Sequence, residues 1–131
     1  MITVISRWET SQMEPELEWR MWRQLRGAFH IDRLMFVPVI PSMEGYTFEQ
    51  YDTVDEALAH AEGMRVFLEP KGQRSIFHMP KHSTITLVCG NTQQHNLGSA
   101  QLNETYRIPT PGSTDLYGIN AAAIALAVRC L

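Results

Sequence analysis

An α/β domain built on a mostly parallel sheet with flanking helices is the fold class this chain predicts, and three observations predict it. Short apolar runs rich in β-branched residues, such as Ile2–Arg7 and Thr84–Cys89, alternate with longer stretches of helical period. Those longer stretches follow capping-box patterns, Ser11-Gln-Met-Glu14 and Thr53-Val-Asp-Glu56. Pro and Gly punctuate the segments, at Pro41, Gly63 and the 70–83 connection. At 131 residues the chain is read as a single domain, 1–131, long enough to bury about two-thirds of its unfolded surface.

The elements follow in order. Ile2–Arg7 is a first strand. A helix is expected to open at the Ser11–Glu14 box, with Pro15 just inside its first turn, and to run to about Phe29. Leu34–Val39, stopped by Pro41, reads as a buried strand, and Tyr46–Tyr51 as another. Thr53–Glu56 opens a second helix through His60, ending near Gly63, where a C-terminal glycine is expected. Arg65–Leu68 is a strand, and Pro70–Ser83 a surface connection with room for one ordered turn. Thr84–Cys89 and Thr105–Ile108 are the last strands. Ile119–Cys130 is a final helix, too apolar to face solvent all round.

Composition removes several classes. Hydrophobic residues make up 44% and charged residues 19%, which excludes a long disordered chain. No apolar run reaches the roughly 18 residues of a membrane span. The Met1–Trp8 segment lacks a basic n-region and a long apolar core, so it reads as a strand and not a signal peptide. A net charge of −3 argues against a domain saturated with phosphate contacts, though not against a local basic patch. The cysteines, Cys89 and Cys130, have no metal-like spacing, so both are expected to be reduced and buried, as in the cytoplasm.

Two strand ends carry the chemistry-bearing signals. Gly90-Asn91 follows a β-branched strand, and Ile108-Pro109 breaks another, with Gly112 just beyond. A glycine at a strand's C-terminal end lets backbone amides approach a ligand, and open α/β sheets bind ligands at that edge. The first helix offers a second signal. At about 100° per residue, Leu17, Met21, Trp22, Leu25 and Phe29 share one face, and Trp19, Arg20, Arg23 and Arg26 the other. An aromatic among arginines suits base stacking and phosphate binding; the alternative is a solvated amphipathic face. His78 and His82 sit at i, i+4 spacing, but Pro80 between them opposes a helix, and no metal is expected. There is no P-loop, G-x-G-x-x-G, H-E-x-x-H, C-x-x-C or G-x-S-x-G.

Taken together, Thr84-Ile-Thr-Leu-Val-Cys-Gly-Asn91, Tyr106-Arg-Ile-Pro-Thr-Pro-Gly112 and Ile119-Asn-Ala-Ala-Ala-Ile-Ala-Leu-Ala-Val128 resemble the C-terminal motifs of the SPOUT (SpoU/TrmH-type) RNA methyltransferases, which read Leu-Val-Phe-Gly-Asn-Glu, Ile-Pro-Met-x-Gly and Ser-Leu-Asn-Val-Ser-x-Ala-Ala. The resemblance implies an α/β trefoil knot and an S-adenosylmethionine slot formed by Leu87, Val88, Cys89, Gly90, Asn91, Ile108, Pro109, Thr110, Gly112, Leu116, Gly118 and Ile119. It further implies methyl transfer to RNA, first of all to a ribose 2′-hydroxyl, by a cytoplasmic homodimer. Thr92 stands where the family has its acid. On an ungapped register Gly118 takes the place of the family's Asn and Asn120 the following Ser; a two-residue insertion puts Asn120 on the Asn. The family's first helix carries an arginine in Asn-x-Gly-x-x-x-Arg-x-x-x-x-Phe-Gly. Ala28-Phe29-His30 is similar to its end, and the arginine position falls on Gln24, with Arg23 adjacent. Arg23 and Asn120 are therefore the candidate catalytic residues, and Trp19, Arg20 and Arg26 the candidate RNA contacts. Two alternatives stay open: a protein of this fold that binds cofactor or RNA without methyl transfer, and another enzyme acting on S-adenosylmethionine.

Overall fold

The computed structural model describes residues 1–131. Seven strands form one sheet: β1 (Ile2–Arg7), β2 (Arg33–Val37), β3 (Glu49–Gln50), β4 (Met64–Leu68), β5 (Arg74–Ser75), β6 (Ile85–Cys89) and β7 (Thr105–Arg107). Their order is β3-β2-β1-β6-β4-β7-β5, and every neighbouring pair is parallel. Three helices cover it: α1 (Pro15–Phe29), α2 (Val54–Ala59) and α3 (Gly118–Arg129).

The two-residue alternation of the strands divides the core between the sheet faces. Val4, Leu34, Phe36, Val66, Leu87 and Cys89 join Trp22 of α1 and Ala122, Ala125 and Leu126 of α3 on one side. Ile5, Met35, Phe67 and Val88 join Val54, Ala57 and Leu58 of α2 on the other. Central parallel strands with both faces covered read as continuous apolar runs, as β6 does: all five of its residues are buried.

Several local expectations needed revision. Helix α1 starts at Pro15 with Glu14 as its N-cap and no side-chain cap. Ser11 instead lies in a turn in which Gln12 and Met13 donate their N–H groups to the Glu9 carbonyl. The Thr53 cap does form: its hydroxyl accepts the Glu56 N–H at 3.1 Å, while Glu56 reaches back to the Asp52 N–H. The expected strand over 46–51 shrinks to Glu49–Gln50. Tyr46 and Phe48 are drawn into an aromatic cluster with Trp8, Trp19 and Phe36, and the Gln50 side chain bonds both backbone groups of Ile40. Within the 70–83 connection, a turn at Ile76–His78 is accompanied by the edge strand β5, whose two residues were too few to show an alternation. Cys130 is exposed and only Cys89 is buried, because Cys130 follows the last helical residue, Arg129, beyond Leu126, the final fully buried residue of α3.

Candidate functional site

The parallel sheet brings the C-terminal ends of β4, β6 and β7 together, and the loops that follow them wall a cleft of about 520 Å³. Its apolar surface comes from Leu68, Tyr106, Ile108 and Leu116. Gly90, Gly112 and Gly118 open backbone onto it, and Glu69, His95 and Asp115 supply titratable groups.

Two glycines set the shape of this cleft. A Cβ on Gly90 would run into the Gln94 carbonyl, so the tight 90–95 turn itself demands glycine there. A Cβ on Gly118 would stand 2.7 Å from the Gly90 carbonyl oxygen, so the first turn of α3 can dock against the end of β6 only without a side chain. The small-residue helix is thus a packing requirement at its N-terminal end.

The 90–96 loop is tied down by buried carboxylates. The Asn91 side chain donates to the Trp8 carbonyl at 2.8 Å and accepts from the N–H groups of Gln93 and Gln94. Glu9, 2% exposed, accepts the Thr92 N–H at 2.9 Å and the Thr92 hydroxyl at 2.8 Å. Its own N–H donates to Glu18 of α1, whose second oxygen accepts from the Trp22 indole. Glu18 therefore sits in the core, and burial pushes its carboxyl above the usual range, against the opposing pull of those two hydrogen bonds. An acid does serve the loop after Gly-Asn, but it arrives from the end of β1.

On the β4 side, Glu69 accepts the Asn96 N–H at 2.9 Å, and Arg7 donates to the Asn96 side-chain oxygen at 2.7 Å. Burial raises the Glu69 carboxyl, while the Asn96 bond and the charges of His95 and Arg7 oppose the rise. The Cys89 thiol, fully buried beside the cleft, is pushed up to about 12 by desolvation, which keeps it out of any nucleophilic role near neutral pH.

Of the positions the sequence nominated for the slot, Cys89, Gly90, Asn91, Ile108, Pro109, Thr110, Gly112, Leu116 and Gly118 line this cleft. Leu87, Val88 and Ile119 do not; their side chains are core, because the sheet's alternation and the α3 packing turn them inward. Asn120 is also outside: two residues from Gly118 along a helix is about 200°, so with Gly118 against β6 its side chain is exposed. Trp19 is 5% exposed and packs on Phe48 at a ring separation of 4.8 Å, so it is unavailable for stacking a base. Leu17, placed on the inner face by periodicity, is 50% exposed instead. Arg26 donates to the carbonyls of Ile31, Thr47 and Asp32, which makes it a tie for the α1–β2 turn. Arg20 and Arg23 are exposed on α1, away from the cleft. Glu69, His95, Tyr106, Asp115 and Lys71 also line the cleft and were not nominated. Glu69 alone carried a readable signal, a charged residue directly after an apolar strand and before Pro-Lys-Gly.

No protein-family model matches the chain, and no characterised protein matches its sequence. Solved structures do match. One from Bacillus anthracis, assigned to the RNA methyltransferases, superposes with a TM-score of 0.76 at 14% identity, over 98% of this chain and 92% of that one. A structure solved to explain 2-OH methylation of C/U34 on tRNA gives 0.74 at 16% identity, over 99% and 89%. The SpoU methyltransferase AviRb from Streptomyces viridochromogenes, in complex with AdoMet, gives 0.73 at 16% identity over 98% of this chain, which spans 58% of AviRb's length. Over nearly its whole length, the chain has the fold of the SpoU-type methyltransferases.

Proposed function

We propose that the protein is an S-adenosylmethionine-dependent RNA methyltransferase acting on a ribose 2′-hydroxyl. The observation that carries this reading is a cleft of nucleoside size at the ends of β4, β6 and β7, in a fold shared with AviRb in complex with AdoMet and with a structure solved for 2-OH methylation of tRNA. The residues present suit the cofactor. Leu68, Ile108 and Leu116 offer apolar surface for a purine, and backbone near Gly90, Ile108 and Gly112 is open to hydrogen bonding. When bound, the cofactor supplies a methyl group already activated on a sulfonium. The protein's share is to align the attacking oxygen with that methyl, to exclude water and to favour loss of the hydroxyl proton.

Arg23 remains the candidate group at the hydroxyl, on the condition that two chains pair. In one chain it lies outside the cleft, whereas a homodimer formed through α1 and α3 can bring it to the cleft of the other chain. Supporting that pairing, Leu17 of α1 is 50% exposed and Ile124 of α3 is 37% exposed, on helices that touch each other. Arg20, free of internal hydrogen bonds, is the remaining RNA contact on that helix. The reading includes the trefoil knot, supported by the return of α3 to the Gly90 carbonyl, and a cytoplasmic setting; no helix is long and apolar enough to cross a membrane. A second reading, cofactor binding without methyl transfer, is favoured by one fact: Asn120 and Arg23 both lie outside the cleft of their own chain.

Incubation of the protein with methyl-labelled S-adenosylmethionine and total RNA separates these readings. Label in RNA that survives alkaline hydrolysis as a 2′-O-methylated dinucleotide is the expected result. Intact bound cofactor with no label in RNA favours the second reading, and degraded cofactor marks a different enzyme.

A further inference from the structure

Of the two acids lining the cleft, Asp115 is exposed and Glu69 is sunk into the wall, its side chain 1% exposed. One oxygen of Glu69 is committed to the Asn96 N–H. The other, Oε2, is buried with no hydrogen-bond partner, and His95 Nδ1 stands 3.4 Å away, within ion-pair distance when the imidazole is protonated. A buried carboxylate oxygen left unpaired is a costly feature that folded proteins rarely keep without a use. Glu69 lines the cleft beside Gly90 and Cys89, at the point where the 90–96 loop crosses the end of β4, and a turn of its carboxyl would bring Oε2, enclosed as it stands, to the cleft surface.

The neighbouring charges decide what could bond to it. The Arg7 guanidinium and, when protonated, His95 already place positive charge around Glu69. An ammonium group would bring a further cation against them and would have to shed its hydration in a confined corner. A neutral hydroxyl adds no charge and donates one hydrogen bond, which is what a single free oxygen can take. A second hydroxyl next to the first would meet the imidazole of His95, which lines the same part of the cleft with a side chain 42% exposed. Two adjacent hydroxyls on a nucleoside are the ribose diol.

We propose that Glu69 is the ribose-recognising residue of the cleft, its free Oε2 accepting a hydrogen bond from a sugar hydroxyl of the bound nucleoside, with His95 at the adjacent hydroxyl. This rests on the reading of the cleft as an S-adenosylmethionine site. It adds a side chain that selects the sugar to a slot otherwise made of backbone and apolar groups.

The test is calorimetric titration of the wild-type protein with S-adenosylhomocysteine and with its 2′-deoxy and 3′-deoxy analogues. A hydrogen bond to an ionised group contributes about 1.5–3 kcal/mol, so at least one deoxy analogue should bind about 10- to 100-fold more weakly than the parent. In Glu69→Gln, which keeps an acceptor for the Asn96 N–H, the parent ligand should weaken by a similar factor. The gap between parent and deoxy ligand should then close to within about 3-fold. Equal affinity of the wild type for all three ligands overturns the proposal, and that arm needs no variant to fold. An undiminished gap in Glu69→Gln overturns it as well. If the wild type bound S-adenosylhomocysteine not at all, the cofactor reading itself would fall, and the Glu69 assignment with it.

Discussion

Glu18 shows how a single charged side chain changes character once it is placed. On a helical wheel it is a polar residue of the first turn; in the fold it bridges the Glu9 N–H and the Trp22 indole from inside the core. Because burial raises its carboxyl above the ordinary value of 4.5, the folded state holds that proton more tightly than the unfolded state does. Its contribution to stability is therefore full below 4.5 and is lost as pH rises through the higher folded value. Replacement by Gln removes this titration and also turns an amide donor towards the indole N–H, at a cost of about 1–3 kcal/mol. In urea denaturation, the stability advantage of wild type over Glu18→Gln should be larger at pH 5 than at pH 8. The same advantage at both values would show that the group does not titrate with folding.

At the scale of the element, α1 is three surfaces and not two. Trp19 and Trp22 enter the core, Arg26 clamps the turn into β2, and Arg20 and Arg23 face solvent. The arginines therefore separate by experiment. Single Ala substitutions at Arg20 or Arg23 should leave stability within about 0.5 kcal/mol of wild type. Arg20→Ala should reduce the salt dependence of RNA binding by about 0.7–0.9 in log–log slope, as one phosphate contact would, whereas Arg23→Ala, at the reacting hydroxyl, should lower methylation turnover more than binding. Trp19→Ala should instead cost about 3–5 kcal/mol through the cavity it leaves, and should not change that slope in whatever protein remains folded. Filter binding across a salt series, beside thermal denaturation, reads both. An unchanged slope for Arg20→Ala together with unchanged turnover for Arg23→Ala would make that face a solvated one.

For the molecule as a whole, α1 and α3 each carry an apolar side chain into solvent. Exposed Leu17 and Ile124 suit a second copy, since an uncovered apolar patch is a liability and a two-fold interface buries the same patch twice. Light scattering at micromolar concentration should return about twice the mass of the chain. Ile124→Glu should return the single mass and lose methylation together, because Arg23 would no longer reach a cleft. A monomeric wild type, or an Ile124→Glu monomer with full activity, would remove the dimer from the mechanism.

The linear order of residues by itself determined the parallel α/β class, most of the strands, and the cleft-lining glycines and Ile108-Pro109, because these depend on local patterns: runs of β-branched residues, caps, and Gly or Pro at strand ends. Tertiary structure decided what depends on partners distant in sequence. Whether Trp19 faces RNA or Phe48, whether Arg26 is free or holds Thr47, and which of Gly118 and Asn120 meets the cleft all turn on how a helix is rotated against its neighbours. The carboxylates follow the same rule. Thr92 marks a lost acid in the sequence, yet Glu9, 83 positions earlier, reaches the same loop. Glu69 becomes a binding group only because burial and the crossing of the 90–96 loop leave one of its oxygens unpaired. Periodicity reports which residues share a face; only packing decides what that face meets.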